Sequence, residues 1–190
     1  ASYVTDPLIT RDISARILAL AADKLRRAGF DGVRTWVADA QALGLDDAGF
    51  DAAVSRLGLM FCREPLAALA SARSALRPGG RFSALVFSAP PGNPCIALMA
   101  ATALRHAGRA PVSPFEPGSL LSLGQPGLMA RLLAEAGFEA IDVRAIAAPM
   151  RLPGCQHYID FVRSAGLPIM ALLAPLSAAA QHDAWEDIAE

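Results

Sequence analysis

The chain has 190 residues, 54% of them hydrophobic, and a formal net charge of −1. That length and apolar content suit one domain with a sizeable core. The 17 basic residues are scattered, with Lys24 the only lysine, so no basic stripe offers itself to a nucleic acid; nor does any apolar run reach the ~20 residues of a membrane span.

The first predicted helix lies in "TRDISARILALAADKLRRAG" (10–29). Ser14 is its N-cap, able to accept from a free N–H of the first turn. Ile17, Leu18, Ala21, Ala22 and Leu25 recur on one face, and Gly29 can close the helix in a left-handed conformation. Asp12, at the end of a short apolar run, is not needed for any of this. In an open α/β sheet, an acid at the carboxyl end of the second strand reaches the ribose hydroxyls of a nucleotide.

"GVRTWVADA" (32–40) reads as a strand, with β-branched Val33, Thr35 and Val37 before Asp39. "LGLDDAG" (43–49) is a polar turn, in which Asp46 and Asp47 read as solvated acids. "FDAAVSRLGLMF" (50–61) is a strand apolar on both faces, as a central parallel strand would be. A helix follows over 64–76 with Pro65 in its first turn. "RPGG" (77–80) reads as a turn before a strand over 81–87.

Beyond these come a loop (88–94), a helix (95–108), an irregular Pro- and Gly-rich stretch (109–126) and a helix (127–137). A long strand is expected over 138–152 and helices over the remainder. Strand–helix alternation at this spacing predicts a parallel α/β sheet covered by helices.

Cys62, Cys95 and Cys155 are widely spaced and odd in number, so neither a disulfide framework nor a zinc site is expected, and a reducing interior is the default. His106, His157 and His182 are likewise isolated. His106 reads as a helix cap, and His157 and Tyr158 as ordinary helix residues or substrate contacts. "ASYVTDPLIT" has neither the basic start nor the apolar core of a signal peptide, and a cytoplasmic location is the expectation.

Taken in order, "DIS" (12–14), "VADAQAL" (37–43), "FDAAVSRLGLMF" (50–61) and "LRPGGRFSALVFSAPPGNP" (76–94) resemble the class I S-adenosylmethionine-dependent methyltransferases. The chain is most similar to the bacterial group of ubiquinone and menaquinone biosynthesis C-methyltransferases. "SLGQPGLMARLLAEAGFEAIDVRAI" (122–146) fits the later part of that group. The resemblance spans about residues 10–165, and its specificity lies in the ordered set, since "PGG" before a strand is weak alone.

The resemblance implies a Rossmann-like sheet with helices on both faces. It implies S-adenosylmethionine as cofactor and methyl transfer to a small apolar or aromatic acceptor. Asp12 would accept from the ribose hydroxyls, and Ile13 would pack on the adenine. Asp39 would accept from the adenine amino group, with the Ala40 N–H beside the same ring. Ser55 and Arg56 would lie beneath the methionine moiety and face the substrate. Segments 93–126 and 153–190 would be substrate-cover or helical additions to a single domain over 1–190. The resemblance supplies no general base and no metal, and it leaves a homodimer open.

Two elements of the family pattern have no counterpart: the first strand with its glycine-rich loop, and a final antiparallel strand. The expectation is therefore a sheet incomplete as the sequence stands, with strands two and four lacking a shared neighbour. Two other readings stay open: a non-catalytic scaffold of the same fold, and a nicotinamide-dependent oxidoreductase. Against the latter, the chain has no Tyr-x-x-x-Lys pair.

Overall fold

The computed structural model describes residues 8–45 and 49–189. Asp46 and Asp47, and the first seven residues, lie outside them.

The run ending at Asp12 is a strand, β1 (Leu8–Asp12), which pairs in parallel with β2 (Val33–Val37) from Leu8↔Val33 to Asp12↔Val37. Helix α1 (Ala15–Arg27) connects them. It is capped as the sequence requires: the Ser14 hydroxyl accepts from the Ile17 N–H. At its other end Gly29 takes φ +82°, and the Phe30 N–H turns back to the Leu25 carbonyl. This left-handed closure satisfies carbonyls that the helix leaves free. Leu18 is its buried residue, whereas Ile17, expected on the same face, is 56% exposed.

A second parallel pair joins β3 (Phe50–Arg56) to β4 (Leu76–Leu85) through α2 (Pro65–Ser74). Pro65 begins α2, where a missing N–H costs no helical bond. The "RPGG" turn is a bulge inside β4 rather than a turn ahead of it. Leu76 faces Phe50 and Arg81 faces Ala52, so residues 77–80 stand opposite Asp51 alone. Gly79 is left-handed at φ +77°, and a Cβ on Gly80 would come within 2.9 Å of the Arg77 carbonyl oxygen and 3.0 Å of that of Phe50. An Arg77–Asp51 ion pair at 2.6 Å spans the excursion.

Among the described residues the four strands form these two separate pairs. α2 buries Ala68, Leu69 and Ala72, and packs on α4 (Leu128–Glu135), which buries Met129 and Leu132. Past α4, the Arg73 guanidinium donates to the Gly137 carbonyl at 2.7 Å, and the Phe82 and Phe138 rings stack obliquely at 5.3 Å.

The expected long strand over 138–152 is not formed; that segment is irregular. Its β-branched residues supply propensity, but a strand also needs a neighbouring edge to satisfy its backbone, and among the described residues no strand pairs with it. Val143, Ile146 and Met150 are accordingly exposed.

The chain divides into two compact units. One comprises the residues up to Val86 together with Gly127–Asp142 and holds both strand pairs. The other, Phe87–Pro126 with Val143–Glu190, is helical. It contains α3 (Pro94–His106), α5 (Cys155–Ala165), α6 (Leu167–Leu173) and α7 (Ala178–Ala189). Its core joins Met99 and Ala103 of α3 to Ile159, Val162, Ile169, Leu173, Ala184 and Trp185.

Candidate cofactor site

Because β1 and β2 run parallel, their carboxyl ends lie at one edge of the pair. Asp12 ends β1, and the Ala38 N–H donates to the Asp12 carbonyl at 3.1 Å as β2 runs out. Asp39 follows at once. The two acids that the sequence singles out are thus delivered to the same edge by register, from positions 27 residues apart.

The half-buried Asp12 places one carboxylate oxygen 2.8 Å from the Ser14 N–H. That bond orients the carboxylate and leaves its other oxygen available as an acceptor. Ile13, between them, is 74% exposed, an apolar side chain held open beside an acid. Asp39 caps a short 3-10 turn, Ala40–Ala42, by accepting from the Gln41 N–H at 2.9 Å.

Three residues that the sequence did not single out complete this edge. Arg11 lays its guanidinium 4.7 Å from the Trp36 ring centroid and donates to the Leu43 carbonyl, while its buried Nε has no hydrogen-bond partner. Gln41 donates its side-chain amide to both Asp39 oxygens, at 3.2 and 3.0 Å. Cys62 has a thiol pushed up by burial and then by the Asp39 charge nearby. Gln41, two residues past the acid within "DAQ", carried a spacing signal. Arg11 and Cys62 carried none, because their partners, Trp36 and Leu43 for the one and Asp39 for the other, are distant in sequence.

Ser55 and Arg56 also lie at a carboxyl end, that of β3, but in the other strand pair. There the Leu57 N–H donates to the Leu85 carbonyl, and Leu57 itself sits at φ +55°. A branched residue in the left-handed region is unusual and costs roughly 1–3 kcal/mol. Among the described residues Arg56 makes no ion pair, and no cluster of His, Cys, Asp and Glu could hold a metal.

In the helical unit, residues 87–94 and 109–126 approach each other at Ser88 and Gly124. Asn93 donates to the Ser88 carbonyl and hydroxyl at 2.9 and 3.0 Å, and Gly124 lies so close that a Cβ would meet the Ser88 carbonyl carbon at 2.6 Å. Tyr158 is half-buried against α3, its hydroxyl 3.9 Å from the Met99 sulfur, and its phenol is pushed up by burial and by Cys95 and Cys155. His157 is exposed. His106, read from sequence as a cap, instead meets Asp187 of α7 at 2.8 Å.

The sequence from 3 to 84 matches the family described as "Methyltransferase domain". That match takes in less than half of the chain. Curated relatives include the ubiquinone/menaquinone biosynthesis C-methyltransferase UbiE of Acidiphilium cryptum, 37% identical over 83 residues, which are 43% of this chain and 33% of the relative. The protein of the same name from Caulobacter vibrioides is 49% identical over 61 residues, or 32% of this chain and 24% of that protein.

In such alignments the chain spans about a third or less of each relative's length. The crystal structure of YcgJ from Bacillus subtilis superposes with a TM-score of 0.58 at 16% identity, over 92% of this chain and 70% of that one. That likeness extends past the matched segment and establishes the fold, an α/β arrangement of parallel strands and helices. No helix among the described residues is long and apolar enough to cross a membrane.

Proposed function

We propose that this chain is an S-adenosylmethionine-dependent methyltransferase acting on a small apolar or aromatic acceptor. The observation that carries the reading is the placement of Asp12 and Asp39 at the carboxyl ends of adjacent parallel strands, with the open Ile13 side chain between them in sequence. The donor set suits an adenosyl group. A carboxylate accepts from vicinal hydroxyls and another from an exocyclic amine, while an apolar side chain covers a purine face.

In this reading Asp12 holds the ribose, Ile13 packs on the adenine, and Asp39 accepts from its amino group with the Ala40 N–H alongside. Ser55 and Arg56 face the methionine portion and the acceptor. When bound, the cofactor supplies an electrophilic methyl group, so the chain's own task is to position the acceptor and exclude water. The names of the curated relatives support an acceptor of the quinone-precursor type.

Calorimetry with S-adenosylhomocysteine tests the reading. Saturable one-to-one binding by the full chain is expected. The absence of heat and of any thermal stabilisation at millimolar ligand would overturn it.

A further inference from the structure

Gln41 has a bonding pattern that the reading above does not use. Its amide nitrogen donates to both oxygens of Asp39, while its amide oxygen accepts from the Glu64 N–H at 2.7 Å. Glu64 is the N-cap of α2 and supplies no side-chain cap of its own, so the Gln41 oxygen satisfies an N–H at the start of that helix. One side chain therefore ties the Asp39 carboxylate to the start of α2. The turn around it is anchored twice more: the Leu43 N–H donates to the Ser71 hydroxyl of α2 at 2.9 Å, and the Leu43 carbonyl accepts from Arg11 of β1.

A carboxylate on an exposed turn ordinarily rotates freely. With two donors on one oxygen and one on the other, Asp39 is held in one plane. The acceptor capacity it retains points along a fixed direction. A preset acceptor discriminates between a ligand that offers an N–H and one that does not, because the mismatched group leaves a polar atom unpaired.

From this geometry we infer that Gln41 is a positioning residue that fixes the Asp39 carboxylate against α2 and thereby sets selectivity for a base bearing an exocyclic amine. The inference rests on the nucleoside reading of Asp39. Glutamine is required because it carries a donor and an acceptor on one planar group. Glutamate could still accept from Glu64 but would set a second negative charge against Asp39. Leucine would fill the volume and do neither.

The test compares the full-length chain with its Gln41→Leu and Gln41→Glu variants. Each is titrated with S-adenosylhomocysteine and with S-inosylhomocysteine, in which an oxo group replaces the amine. Amide exchange at Glu64 is followed in parallel. The unsubstituted chain is expected to prefer the adenosyl ligand by about tenfold or more. Gln41→Leu should bring that ratio close to one, with little change in the inosyl affinity and faster exchange at Glu64. Gln41→Glu should lose the ratio while keeping Glu64 protected.

Equal weakening of both ligands would make Gln41 a structural residue only and overturn the inference. A preference unchanged in Gln41→Glu would overturn it as well. Binding of both ligands without preference by the unsubstituted chain would refute the inference while leaving nucleoside binding intact. Binding of neither would refute the function proposed above together with it.

Discussion

At the scale of single residues, Asp12 separates a local duty from a ligand-binding one. One of its oxygens accepts from the Ser14 N–H, and the proposed ribose contact uses the rest of the carboxylate. Asn retains one acceptor oxygen for Ser14 and replaces the other with a donor. Asp12→Asn should therefore leave the melting temperature nearly unchanged and weaken S-adenosylhomocysteine binding by roughly 10- to 100-fold, the range expected for loss of a charged hydrogen bond. Calorimetry beside a thermal melt reads both effects.

Ser14 is the complementary case. Ser14→Ala keeps the backbone N–H that orients Asp12 but removes the cap from α1, and should cost about 1 kcal/mol in urea unfolding. Both residues were legible from sequence because their bonds span two or three positions. Arg11, whose partners Trp36 and Leu43 are distant in sequence, was not.

At the scale of elements, the chain order of helices and strands was readable wherever a cap, a proline or a glycine marked a boundary. Ser14, Pro65 and Gly29 each did so and each sits where expected. The segment 138–152 failed because strand character is a property of a pair of strands. Val143 and Ile146 describe only one partner.

A contact of similar reach ties α3 to α7. Asp187 accepts from His106 at 2.8 Å and Arg105 at 3.0 Å, and these bonds hold its carboxyl below the usual range. A carboxyl whose value is lower in the folded chain adds stability that is full above its unfolded value and fades as pH falls through the folded one. The urea midpoint of the unsubstituted chain should therefore exceed that of Asp187→Asn at pH 7. The gap should close as the pH is lowered below about 4, the ordinary carboxylate value. A gap independent of pH would assign the effect to packing instead.

At the scale of the whole molecule, sequence alternation established the α/β class but not the division of the chain. The continuous run of elements gives no sign that Gly127–Asp142 rejoins the strand-bearing unit after forty residues spent in the helical one. That return is made by α4, whose Met129 and Leu132 are buried in the strand-bearing unit. The helical unit has a core of its own, and Leu173, 1% exposed, lies within it. Leu173→Ala should destabilise the chain by about 2–5 kcal/mol, through lost burial and the cavity left behind, as read by urea unfolding.

The excursion at residues 77–80 has a consequence for how such a chain can change over time. A strand shifted by one residue turns every side chain to the opposite face, so most insertions within β4 would be ruinous. Here the surplus is already stored in a side loop closed by Gly80, whose close approach to the Arg77 and Phe50 carbonyls leaves no room for a Cβ. Lengthening the loop ahead of Gly80 would leave Arg81 to Leu85 facing the same partners on β3. This short stretch is thus a length buffer, where the chain can gain or lose a residue without rewriting the ladder that follows.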